Sequence, residues 1–76
     1  MPDGMRKGLK AETVIAAFER AGGFRRPGKG SHVNIKMPNG QIITIPNHGD
    51  VKIGLLQAAI KKAGLTNEDF LRLIGG

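Results

Sequence analysis

The chain has no cysteine, no tryptophan and no tyrosine. Without cysteine there are no disulfides and no thiolate metal site, and nothing argues for an oxidising compartment. Its three phenylalanines are too few for the usual aromatic stacking surfaces of RNA-binding modules. Two of them, Phe18 and Phe70, fall at core-like helical positions, and Phe24 opens a basic stretch. No apolar run approaches the ~18 residues of a membrane span. Met1 to Lys10 is polar and glycine-containing, unlike a signal peptide. A cytoplasmic protein without a membrane association is therefore expected. With 76 residues the chain is one small domain at most. That excludes an enzyme with a cleft between two lobes and leaves a surface site.

Acidic residues are scarce as well. Twelve Lys and Arg stand against six Asp and Glu, a net charge of +6. From Arg20 to Gly49 there are five basic residues and no acid: Arg20, Arg25, Arg26, Lys29 and Lys36. A one-signed middle is the electrostatic footprint of a polyanion binder, or of a surface that meets an acidic protein.

Residues 1–8, with Pro2, Gly4 and Gly8, are read as a flexible tail, and 9–76 as a single domain. From Leu9 or Lys10 to Ala21 the pattern is helical, with Val14, Ile15, Phe18 and Ala21 on the apolar side and Gly22-Gly23 as the stop. Phe24 to Ser31 is basic and turn-like, with a short edge strand at Phe24-Arg25-Arg26. His32 to Met37 alternates: Val33, Ile35 and Met37 face inward, His32, Asn34 and Lys36 outward. A second strand runs from Gln41 to Pro46. A three-residue loop at Pro38-Asn39-Gly40 keeps Ile43 and Ile45 on the core face; a two-residue turn would put Thr44 there instead. Asn47 to Gly54 reads as a loop and Leu55 to Ala63 as a helix burying Leu56, Ala59, Ile60 and Ala63. Thr66 then caps a short last helix with Asp69 three residues on. The expected fold is α+β, with the helices on one face of a small antiparallel sheet and the other face left to solvent or ligand.

Several motifs are set aside. Gly23 to Lys29 matches the start of a phosphate-binding loop, but Gly30 stands where Ser or Thr must follow, and a helix precedes it instead of a strand. No two glycines lie three apart, so a GxxG clamp is missing. His32 and His48 have neither helical spacing nor a carboxylate cluster, so no metal site and no cofactor is expected. What remains is recognition of backbone and shape by basic residues, the manner in which duplex RNA is bound.

His32 opens a strand and faces away from the core, close to Lys29, Asn34 and Lys36. Histidine as a residue type titrates near 6.5 in water and suits proton transfer beside a bound phosphate. Read alone, it is equally an exposed histidine without a task. In chain order, Lys29-Gly30-Ser31-His32, Met37-Pro38-Asn39-Gly40, Ile45-Pro46-Asn47-His48-Gly49, Gly54-Leu55-Leu56 and Ala63-Gly64-Leu65-Thr66 resemble the HicA toxins of bacterial and archaeal toxin–antitoxin pairs, over residues 10 to about 73. The resemblance implies a double-stranded-RNA-binding-domain-like α-β-β-β-α fold, ribosome-independent cleavage of mRNA, and inhibition by a HicB-type antitoxin. The family's catalytic histidine carries over to His32. The last main helix starts Gly54-Leu55-Leu56-Gln57, where the family often has Gly-Thr-Leu-Arg, so that threonine and arginine are absent.

The remaining site residues have two readings each. Arg25, Arg26, Lys29 and Lys36 are phosphate contacts or a solvated basic surface. Gly30 permits close backbone approach or only turns the chain. Ser31 orients His32 or a phosphate, or is a solvated hydroxyl. His48 shares the His32 face if the second strand continues far enough, and otherwise is a loop histidine. The rivals to a ribonuclease are a non-catalytic RNA-binding module and a domain whose basic face meets an acidic protein.

Overall fold

The computed structural model describes residues 9–75; the tail expected at residues 1–8 lies outside them. Strands β2 (Phe24–Pro27), β3 (His32–Lys36) and β4 (Ile42–Pro46) form an antiparallel sheet with β3 in the centre. Helices α1 (Ala11–Arg20), α2 (Ile53–Lys62) and α3 (Asn67–Gly75) complete the order α-β-β-β-α with a C-terminal helix. Two short strands, β1 (Leu9–Lys10) and β5 (Asp50–Val51), pair with each other as a separate ribbon.

The helix starts differ from expectation. Leu9 and Lys10 pair with Val51 and Asp50 instead of opening α1. The stretch expected as a plain loop thus contains β5, and α2 begins at Ile53, two residues early. No side chain caps α1 or α2. The Ala11 N–H instead donates to the Gly49 carbonyl at 3.1 Å. A main-chain acceptor satisfies the helix end as well as a side chain does, and it leaves no mark in the sequence.

The hairpin follows the apolar pattern. Paired residues are His32–Pro46, Val33–Ile45, Asn34–Thr44, Ile35–Ile43 and Lys36–Ile42, which is the three-residue-loop register. Met37 N–H donates to Gln41 O at 2.8 Å and Gly40 N–H to Met37 O at 2.9 Å. Gly40 has φ +88°, the left-handed conformation that a side chain disfavours. Val33, Ile35, Met37, Ile43 and Ile45 are buried under α1 and α2 with Val14, Ile15, Phe18, Leu56 and Ile60. α3 packs against α1 and α2, and its Phe70 ring meets Phe18 with centroids 5.0 Å apart.

At the start of α3, Asp69 N–H donates to Thr66 Oγ1 at 3.0 Å, and Thr66 N–H donates to Asp69 Oδ2 at 3.2 Å. This reciprocal cap holds the Asp69 carboxyl below its ordinary pKa, chiefly through the Thr66 backbone N–H, then the Thr66 hydroxyl, with Arg72 adding a smaller effect. A depressed carboxyl contributes stability above its unfolded pKa and loses it as pH falls through the folded one. Thr66→Ala is expected to cost about 1 kcal/mol. In Asp69→Asn the acid limb of the pH–stability curve should flatten. Urea titrations across the acid range measure both.

Candidate functional site

Alternation sorts the sheet residues onto two faces. Ile35 and its pair Ile43 are buried beneath the helices. Their alternates therefore face outward: His32, Asn34 and Lys36 on β3, and Ile42, Thr44 and Pro46 on β4. β2 extends the rows, because Phe24 pairs with Lys36 and Arg26 with Asn34. Three rows cross the open face: Phe24-Lys36-Ile42, then Arg26-Asn34-Thr44, then His32-Pro46. In the middle row Thr44 Oγ1 donates to Asn34 Oδ1 at 2.8 Å.

His32 is exposed at one end of this face, and main-chain atoms hold it. Its N–H donates to the Lys29 carbonyl at 3.1 Å. Its ring Nδ1 lies 3.3 Å from the same oxygen. A carbonyl only accepts, so Nδ1 carries the proton in this contact and Nε2 of the neutral ring keeps its lone pair. The turn before His32 is built from two glycines with different tasks. Gly30 has φ +61° and open space around it, so it turns the chain without approaching a neighbouring strand. Gly28 is the tight one: a Cβ there would lie 2.6 Å from the His32 carbonyl oxygen. The sequence signal for Gly28 was its place two residues before Gly30, across from the first residue of β3.

Of the cations expected at the site, Arg26 shares the His32 face as its diagonal neighbour, a relation that spans ~7–8 Å in a sheet. Lys29 lies in the turn that holds His32. Lys36 is four residues along β3, about 13 Å away at ~3.3 Å per residue. Arg25 is not with them. It pairs with buried Ile35, on the helix face, and its Nη1 lies 3.8 Å from Glu12 Oε2 of α1. The backbone carbonyl of Ser31 accepts from Asn47 N–H at 2.7 Å, so Ser31 fastens the end of the hairpin through its main chain.

His48 lies two residues beyond the end of β4 at Pro46. It lines an open recess of ≈ 370 Å³ with Lys10, Ala11, Glu12 and Asn47, at the start of α1. In the sequence Phe24 only opens a basic stretch. It is 76% exposed on the open face. Its pairing with Lys36 is what reveals this, and that pairing is visible only once β2 is in register with β3.

No helix among the described residues is long and apolar enough to cross a membrane. A comparison with curated proteins gives no match. A family model described as the HicA toxin of bacterial toxin–antitoxin systems matches residues 11–65, a segment that carries the whole three-stranded sheet, the turn with Gly28 and Gly30, and His32. That is most of the chain, and with the α-β-β-β-α order and the basic open face described above, the protein belongs to the HicA toxin family, whose members pair with an antitoxin.

Proposed function

We propose that this chain is an endoribonuclease toxin that cleaves mRNA, with His32 as its proton-transfer group. The observation that carries the reading is the held imidazole: His32 stands on the open sheet face with Nδ1 on the Lys29 carbonyl and Nε2 left to accept a proton. Arg26 and Lys29 flank it. Nε2 takes the proton of a ribose 2′-hydroxyl as O2′ bonds to the neighbouring phosphorus. The P–O5′ bond breaks, and water reaching the exposed face protonates the departing O5′. The cations stabilise the charge that gathers on the phosphorane oxygens. A binding module has no use for an imidazole held in this way. The domain spanning 9–76 is then a single RNA-cleaving unit, and a HicB-type antitoxin inhibits it by setting its own acids against Arg26, Lys29 and Lys36.

The chemistry fixes the product ends. Purified protein and a synthetic RNA should give fragments ending in 2′,3′-cyclic phosphate and 5′-hydroxyl groups. Fragments with 5′-phosphates would mean that water, not the 2′-hydroxyl, attacks, and would remove His32 from the assigned step.

Binding should also be salt-dependent in a residue-specific way. Each phosphate contact releases roughly 0.7–0.9 counterion. Arg26→Ala and Lys29→Ala should each flatten the log–log salt slope by about that amount. Arg25→Ala, on the other face beside Glu12, should leave it unchanged. Fluorescence anisotropy with a 2′-O-methylated RNA measures all three slopes without cleavage.

A further inference from the structure

We propose that Phe24 is a stacking platform for an unpaired base of the RNA, which makes single strands, not duplexes, the substrate class. The inference rests on the ribonuclease reading above and adds a specificity residue to it. A single apolar side chain at a surface is ordinary in itself. Phe24 differs by its surroundings. It is 76% exposed on the same face as His32, and its pairing partner across the strand is Lys36. Arg26 is its next neighbour on that face along β2. The chain has no acid between Arg20 and Gly49, so no carboxylate enters these three rows. A flat ring beside a cation matches one nucleotide: the base lies on the ring and its phosphate meets Lys36 or Arg26.

A second protein would be better served by contiguous apolar area. The other exposed apolar side chain of the face, Ile42, lies on β4, with Lys36 on β3 between it and Phe24. The row thus alternates ring, cation and aliphatic group. The distance also suits a single strand. Phe24 stands in the Lys36 row, about 13 Å from the His32 row at ~3.3 Å per residue, so the stacked base flanks the cleaved phosphate at a short remove. Bases of a duplex are already paired and stacked and leave no face for the ring, whereas unpaired bases splay out onto aromatic side chains. An unpaired strand also lets the 2′-oxygen swing into line with the departing O5′, which a regular duplex opposes.

The absence of tryptophan and tyrosine supplies the test. Phe24→Trp puts the chain's sole indole at the site. Its emission is read during titration with a 2′-O-methylated single strand and with the same strand annealed to its complement. The single strand should quench the indole and the duplex should not. Phe24→Ala and Phe24→Leu should weaken single-strand binding about five-fold to a hundred-fold, with the salt slope unchanged because stacking releases no counterions, and Phe24→Trp should restore it. Cleavage assays should show the loss in KM more than in kcat. Salt-dependent RNA binding that persists undiminished in Phe24→Ala overturns the stacking and leaves the ribonuclease reading standing. So does a Phe24→Ala protein that binds RNA normally and loses its antitoxin, which would assign the ring to the protein partner. If the unaltered chain binds no RNA, the ribonuclease reading falls and the stacking falls with it.

Discussion

His32→Ala should cut the rate of RNA cleavage by about 10²–10⁴-fold, the contribution of a positioned general base, and should end growth inhibition when the protein is expressed without its antitoxin. The fold should survive. The side chain is exposed, and its hydrogen bond to a carbonyl in its own turn is a long one. Thermal melting should therefore be close to that of the parent, and the salt slope of RNA binding should hold, because Arg26 and Lys29 remain. This combination separates a lost proton-transfer group from a damaged domain. A folded His32→Ala protein that still cleaves at the parental rate would return the open face to a binding role alone.

Phe70→Ala is the substitution expected to damage the domain itself. Phe70 is fully buried and its ring lies against Phe18 at a tilt of 47°. Truncating a buried phenylalanine costs about 3–5 kcal/mol through lost transfer energy and the cavity left behind. At roughly 0.05–0.15 kcal/mol per residue, a chain this size has about 4–11 kcal/mol in all. The variant should thus lose about a quarter or more of its stability, and where the larger loss meets the smaller total it should be largely unfolded. Phe70→Leu, which keeps most of the volume, should lose much less. Equilibrium unfolding in urea distinguishes the two. The result bears on the family boundary as well. The family match ends at residue 65, yet Phe70 fills the centre of the core, and Arg20 Nη1 of α1 donates to the Leu73 carbonyl of α3 at 2.6 Å. The last helix is part of what holds the shared segment together.

The parts of this fold that were legible in the sequence are those written in side chains. The alternation of Val33, Ile35 and Met37 against His32, Asn34 and Lys36 named the faces of β3. Thr66 and Asp69 announced the start of α3 because their side chains make the cap. Pro38-Asn39-Gly40 fixed the hairpin register, since only that loop keeps Thr44 out of the core. The parts that were not legible are made by the backbone. The β1–β5 ribbon and the start of α1 rest on carbonyls such as that of Gly49, which any residue supplies, and no side chain caps α2. The site divides in the same way. His32, Arg26 and Lys29 could be named from charge and position. The separation of Arg25 from Arg26, and the exposure of Phe24, depend on the register of β2, whose four residues are all exposed and so carry no apolar pattern to read. Beyond Pro46 the backbone again decides: Asn47 N–H still donates to the Ser31 carbonyl, and Gly49 then offers its carbonyl to the start of α1.

The Lys29 carbonyl that holds His32 has a genetic consequence. A main-chain oxygen is present whichever residue stands at 29, so most missense changes there leave the imidazole aimed. The narrow points are Gly28, whose missing Cβ leaves room for the His32 carbonyl, Gly30, whose positive φ carries the turn, and His32 itself. In a screen of cells that survive expression of the toxin alone, single-residue escapes that keep a folded protein should include these three codons, and any at Lys29 should weaken RNA binding while leaving the imidazole aimed.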